Sequence, residues 1–340
     1  MARLENDGAR AARVDEVTTG EPSTAPDDGG SDETVLLRID GPVAEVQLNR
    51  PASLNAVNTH MLREILAVGE RLKAETSVRA VVLTGVGRAF CSGLDFTEFG
   101  RMLDGDPILK GRLPGRAGNL GQQAVLVWTE LAVPVIAAVR GPALGAGLQI
   151  ALGADIRIVT PDAMLGLLEV RWGLVPDMAG SQLLGRLVGP DVAKELVFTG
   201  ATVRGTEAVR IGLATRIAED PRAAALALAR EIAERSPDAV RGAKRLLDLA
   251  GAVDLATGLA EEERIEKSLI DSPNQLEAVR ARRAGRLPRF ADPVVDRNTV
   301  TDRNTAGGSD AGGPGHAAVD DPSGGEADIE AEEQERVTDR

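Results

Sequence analysis

A chain of 340 residues with 43% apolar content is long enough to bury one large core or two small ones, and its formal net charge of −13 is concentrated at its ends. Residues 1–33 carry nine acids against three Arg and residues 291–340 thirteen against four, so residues 34–290, with 30 acids and 32 bases, are near neutral and show no nucleic-acid footprint. The single Cys91 excludes an internal disulfide and fits a reducing compartment, and His60 and His316 are too few for a histidine-rich metal site. With no long apolar run and no leader-like start, no membrane partner is expected and the compartment expected is the cytoplasm.

Taken in chain order, residues 1–33 and 291–340 lack hydrophobic periodicity and read as disordered acidic tails. Order begins near Thr34, where TVLLRID and VAEVQLN flank a Gly-Pro turn as a β-hairpin. A helix is predicted over Thr59 to Ala74 from Met61, Leu62, Ile65, Leu66 and Leu72. RAVVLTG (79–85) is a continuous apolar run, as a strand covered on both faces requires. Residues 101–119 read as a flexible loop before a helix near 120–131. PVIAAVRG is a second buried strand, LGAGLQIALGA a glycine-started helix and DIRIVT a third strand. Short strands and helices alternate to about 217, and residues 222–285 read as helices broken at Ser236-Pro237 and Ser272-Pro273. The division is therefore an α/β core over 34–221 and a helical region over 222–290, with the helices near 255–284 expected to pack on a neighbouring subunit.

Two of these strands run into tight turns of small residues, RAVVLTGVGRAFCSGLD (79–95) and PVIAAVRGPALGAGLQIALGADIRI (134–158). In the second, Gly145 and Gly147 flank Ala146 where a helix starts. Unpaired N–H groups at such a start can hold a developing oxyanion, and small residues let a substrate oxygen approach the backbone. Plain packing explains the same pattern. The glycines do not form a GxGxxG fingerprint, no Walker-type GK[ST] is present, and no Ser-His-Asp set is legible.

These segments, with LNRPASLNAV (48–57), LGLLEVRWGLVPDMAGSQLLGRLVG (165–189) and SPNQLEAVRARRAGRLPRF (272–290), resemble the enoyl-CoA hydratase/isomerase (crotonase) family from about residue 35 to 290. The resemblance implies a spiral of ββα units with a helical C-terminal oligomerisation region, a homotrimer or a dimer of trimers, and an acyl-CoA thioester as substrate. It implies no metal and no cofactor beyond the CoA of the substrate. It places the oxyanion-hole N–H groups at Leu94 and Ala146, with Ser92, Gly93, Asp95, Gly145 and Gln149 around the substrate.

Hydratases of the family use two glutamates, and the positions that correspond are Gln149 and Glu169. Where those enzymes place a glycine, this chain has Asp177. Dienoyl-CoA isomerases of the family resemble it in carrying Glu and Asp at the positions of Glu169 and Asp177, although they also have an Asp where Gln149 stands. The expectation is double-bond isomerisation with Glu169 as the principal base and Asp177 as its partner. Hydration through Glu169 alone, or a non-catalytic acyl-CoA-binding scaffold, are the alternatives. Asp177 also reads as an N-cap of the helix that follows it, Asp95 and Asp155 read as structural, and Cys91 as a small buried hydrophobe.

Overall fold

The computed structural model describes residues 33–103 and 111–293. The two acidic tails, apart from Glu33 and residues 291–293, and the central part of the 101–119 stretch lie outside the described residues. Contacts divide the chain after Val294, so the whole described part belongs to one compact unit.

The chain begins with an antiparallel hairpin, β1 (Val35–Asp40) and β2 (Val43–Leu48), in which Val35 pairs with Leu48 and Asp40 with Val43. Helix α1 (Thr59–Ala74) follows, capped by Asn58, whose side chain accepts the Met61 N–H at 2.8 Å. Its buried face is Met61, Leu62, Ile65 and Leu72, as the 3.6-residue period dictates. Strand β3 (Ala80–Gly85) pairs parallel to β2. Helix α2 (Phe96–Leu103) corrects the sequence reading, because the first three residues of the expected loop complete it. Buried Glu98 anchors this helix by accepting the Thr59 N–H at 3.0 Å, a long-range bond invisible in local pattern.

Helix α3 (Leu120–Thr129) opens with a reciprocal capping box between Asn119 and Gln122. Strand β4 (Val135–Val139), short β5 (Pro142–Leu144) and α4 (Ala146–Leu152) form one unit of the spiral. Strands β6 (Ile156–Val159) and β7 (Met164–Gly166) begin the next. After the 3-10 turn Glu169–Trp172 come α5 (Gly180–Val188), α6 (Pro190–Thr199), β8 (Thr202–Arg204), α7 (Gly205–Arg210) and β9 (Arg216–Ile217). Four helices close the described chain: α8 (Pro221–Ala233), α9 (Pro237–Leu249), α10 (Leu255–Leu269) and α11 (Pro273–Arg283). Besides the two expected Ser-Pro breaks there is a third, where Gly251 takes a positive φ and Asp254 caps α10.

The strands form a six-stranded sheet, ordered β1-β2-β3-β4-β6-β9, and a three-stranded sheet, β5-β7-β8, with the turns β4–β5 and β6–β7 each giving one strand to either sheet. This is an α/β architecture of the kind the resemblance implies. The central strands β3 and β4 are almost wholly apolar because both their faces are covered. Val81, Leu83, Val135, Ala137, Val139 and Val159 face the core shared with α1, α3 and α4, while Ala80, Val82, Ile136, Ala138 and Ile158 face α8. Each such Val or Ile contributes about 1.5–3 kcal/mol by leaving water. Helix α8 meets the sheet through Ala225, Ala229 and Ala233, a small-residue stripe that allows close approach. It therefore packs as part of the α/β core, although the sequence assigns everything beyond residue 221 to the helical region.

The start of the expected C-terminal tail is also tied down. Arg79 donates to the carbonyl of Phe290 at 2.9 Å and pairs with Asp292 at 3.0 Å, and Asn274 exchanges two hydrogen bonds with the Ala291 backbone. Polar bonding orders these residues where apolar content could not. Among the described residues no helix is long and apolar enough to cross a membrane.

Helix α9 is pinned to the core by one buried cation. Lys244 Nζ donates to the Val133 carbonyl at 3.1 Å and to Asp155 Oδ2 at 2.7 Å, and the same oxygen accepts the Val135 N–H at 2.7 Å. Asp155 is thus structural, as expected. Lys244→Met is expected to lower stability by about 1–3 kcal/mol, read as a fall in the urea midpoint. The Lys244→Met/Asp155→Asn pair should lose less than the sum of the two single changes.

Candidate active site

All nine site residues expected from the sequence line one cavity of about 530 Å³: Ser92, Gly93, Leu94, Asp95, Gly145, Ala146, Gln149, Glu169 and Asp177. Backbone pairing brings them together. Beyond β3 the chain runs beside β5, with the Phe90 N–H on the Arg140 carbonyl at 2.8 Å, Cys91 N–H on Pro142 at 2.9 Å and Leu144 N–H on Cys91 at 3.0 Å. On its other side the same segment bonds to the loop before α1, through Ser92 N–H to Leu54, Val57 N–H to Gly93 and Asp95 N–H to Val57. Glycine makes the approach feasible. A Cβ on Gly147 would lie 2.5 Å from the Cys91 carbonyl oxygen, and Gly93 and Gly145 have φ of 110° and 50°.

Two residues on the cavity wall have amides not committed in this way. Among the described residues no protein acceptor takes the N–H of Leu94 or of Ala146, and both residues sit on the cavity wall. Ala146 is the first residue of α4, where no preceding turn supplies an acceptor.

The carboxylates come from the next turn of the spiral. Strand β7 pairs with β5, and Gly145 N–H bonds to the Gly166 carbonyl at 2.8 Å, so the 3-10 turn that starts at Glu169 lies against the start of α4. One carboxylate oxygen of Glu169, Oε1, accepts from Gln149 Nε2 at 2.7 Å. The other, Oε2, is buried without a hydrogen-bond partner. Burial pushes the Glu169 carboxyl above the ordinary glutamate range, its own backbone N–H and the Gln149 bond partly oppose this, and the Asp177 charge adds to it. Burial raises Asp177 as well.

The capping role read for Asp177 does not hold. Helix α5 starts at Gly180 and its N-cap position is Ala179, with no side-chain capping bond. Asp177 sits too early in the turn to reach those amides. Gln149, expected beside the substrate, is buried and turned to protein: besides Glu169 it serves Met178 and Gly180, whose N–H groups bond its carbonyl at 2.8 and 3.0 Å. Asp95 lines the cavity, yet its carboxylate is committed to Arg50 at 2.8 Å and to the Thr97 backbone and hydroxyl, which hold it below the usual aspartate range against the opposing effect of burial. Ser92 donates to the Ser53 carbonyl at 3.3 Å. Cys91 is enclosed, and burial pushes its thiol up to about 12, so it packs as a small apolar group.

Residues 38–292 match the family profile described as enoyl-CoA hydratase/isomerase. The protein belongs to this family. The chain is 36% identical to the short-chain-enoyl-CoA hydratase of Clostridium acetobutylicum over 250 residues, 73% of this chain and 93% of that one. It is 35% identical to human enoyl-CoA hydratase domain-containing protein 2, mitochondrial, over 272 residues, 77% and 90% of the two chains. Among solved structures it is similar to an enoyl-CoA hydratase from Bacillus anthracis, with a TM-score of 0.70 at 30% identity, covering 76% of this chain and 99% of that one.

Within this enoyl-CoA hydratase/isomerase framework, several residues escaped the sequence reading. Asn55 is fully buried with φ of 58°, donating to the Val86 and Ala89 carbonyls at 3.0 and 2.8 Å and accepting the Arg50 N–H at 2.8 Å. It locks the loop that borders residues 92–95, and Arg50 joins it by bonding the Ala56 carbonyl and Asp95. An asparagine between apolar neighbours hinted at a left-handed position, but the two carbonyls it donates to lie more than 30 residues away. Phe96 and Trp172 also line the cavity, edge to face with centroids 6.1 Å apart, linking the start of α2 to the Glu169 turn.

A carboxyl raised on folding binds a proton more tightly in the folded than in the unfolded chain. Its contribution is therefore lost as pH climbs from the ordinary carboxylate range through the raised value. Glu169→Gln removes this liability. Its melting temperature is expected to exceed that of the wild type at pH 8, with the difference vanishing below about pH 4, as calorimetry across pH would show.

Proposed function

We propose that this protein shifts carbon–carbon double bonds in enoyl- or dienoyl-CoA thioesters through an enolate. The observation that carries the reading is one cavity wall with two unpaired backbone N–H groups, Leu94 and Ala146, and two carboxyls raised by burial, Glu169 and Asp177. The thioester oxygen sits between the two N–H groups, which stabilise negative charge as it develops there. Glu169 removes a proton from C2 through Oε2, and the electron pair moves onto the carbonyl oxygen. As the enolate collapses, the double bond migrates into conjugation with the thioester and a proton returns at the far end. For a 3-enoyl substrate Glu169 delivers it to C4. For a 3,5-dienoyl substrate protonated Asp177 delivers it to C6, and the two carboxyls re-equilibrate through solvent. A carboxyl raised toward neutral pH suits both removal and return. No metal or further cofactor enters this scheme, since CoA arrives as part of the substrate.

Hydration of 2-enoyl-CoA is the second reading, favoured by the hydratase names of the Clostridium and Bacillus proteins. Against it stands Gln149, an amide that cannot exchange a proton where a second glutamate would act. The proposal extends to a trimer or dimer of trimers, supported by Leu247, Leu255, Leu259 and Ile270, large apolar side chains left exposed on and beside α9 and α10.

Incubation with 3-enoyl-, 3,5-dienoyl- and 2-enoyl-CoA separates the readings by product. Conjugated isomers should form, and Glu169→Gln should lower kcat by about 10³-fold or more while CoA-ester binding persists. Asp177→Asn should impair dienoyl conversion more than 3-enoyl conversion. Prompt 3-hydroxyacyl-CoA formation without isomerisation would overturn the choice in favour of hydration.

A further inference from the structure

We infer that Gln149 is the positioning residue of this site: it clamps one oxygen of Glu169, reserves the other for proton transfer, and ties the base to the helix that carries Ala146. The inference rests on the proposed role of Glu169 and concerns how that base is held.

The amide has only one orientation. Its carbonyl oxygen accepts two backbone N–H groups, from Met178 at 2.8 Å and Gly180 at 3.0 Å. A flipped amide would set its NH₂ against two donors, leaving all three unsatisfied in a buried place. The NH₂ must therefore face Glu169, and it does so at 2.7 Å from Oε1. Free rotation of a carboxylate makes its two oxygens equivalent; this bond makes them different. Oε1 is held by a donor, and Oε2 is buried with no partner, left for a proton.

Three parts of the site meet at this side chain. Gln149 lies three residues beyond Ala146, on the first turn of α4. Its NH₂ reaches the 3-10 turn of Glu169, and its carbonyl grips the amides that follow Asp177. The free N–H, the base and the second carboxyl are thus referenced to one buried amide. The packing around it leaves no slack, since a Cβ on Gly180 would lie 2.7 Å from the Gln149 carbonyl oxygen and 2.8 Å from its Cγ. A carboxylate at position 149 would still satisfy Met178 and Gly180, but its second oxygen would meet Glu169 Oε1 and require a shared proton. An amide avoids this and leaves Asp177 as the carboxyl whose charge bears on Glu169.

The test reads Glu169 directly. The full-length protein is labelled with carboxyl-¹³C glutamate, and the Glu169 signal is assigned by its loss in Glu169→Gln and followed through a pH titration. In Gln149→Met, removal of a donor to the ionised form should move the midpoint upward. The acid limb of kcat/KM should move with it, and kcat should fall about 10²-fold with little change in KM, the cost of a misplaced base. Gly180→Ala displaces the amide without deleting it and should shift the midpoint in the same direction by less, so it carries the test if Gln149→Met does not fold. A folded Gln149→Met or Gly180→Ala protein with an unmoved Glu169 midpoint overturns the inference and leaves Gln149 a packing residue. The titration needs no turnover, so a wild type inert toward every acyl-CoA would sink the proposed function while the positioning of Glu169 is still decided.

Discussion

The segment Phe90–Asp95 is held by backbone bonds on both sides, to Arg140–Leu144 on one and to Leu54–Val57 on the other. No side chain separates these strands of chain, and that is possible only because Gly147 brings α4 against Cys91 where any Cβ would collide with the carbonyl. The rest of the site depends on this contact. It sets Leu94 next to the start of α4, so that Leu94 and Ala146, each with an unpaired N–H, line one cavity. A site made of main chain is insensitive to the identity of the side chains above it, so Leu94 and Ala146 can carry the proposed function without any chemistry of their own.

The second layer is electrostatic. Parallel pairing of β5 with β7 delivers the Glu169 turn to the same cavity, where burial raises both Glu169 and Asp177. Elsewhere the fold treats its acids differently. Asp95 is lowered by Arg50 and Thr97, Glu45 by Arg222, and Asp155 is bound to Lys244. Those acids are paired and structural. Among the described residues no cation pairs with Glu169 or Asp177, and that is the environment a proton-transferring carboxyl needs.

Much of this was legible in the linear chain. The hairpin, α1 and the buried strands follow from apolar periods of 2 and 3.6 and from unbroken Val/Ile runs, all of which are local signals. The two glycine-bearing turns and the Glu169 segment were recognisable because close backbone approach restricts residue type over several consecutive positions. Whether Asp177 caps a helix was not legible, since Pro-Asp before a helical pattern looks like a cap whether or not the helix starts there. Gln149 was equally opaque: its sequence neighbours are apolar, and all three of its partners lie 20 to 31 residues away.

The sequence by itself determined the family, most of the elements and nine of the residues around the cavity, because each rests on patterns carried by contiguous residues. Tertiary structure alone decided which of those residues are free to act. Whether an N–H is unpaired, a carboxyl raised, or an amide turned toward a base depends on what lies opposite it. Those opposing groups come from distant parts of the chain: β7 against β5, Gly180 against Gln149, Arg50 against Asp95. Pairing across the fold, rather than residue type, thus separates Glu169 and Asp177 from the acids that merely hold the structure together.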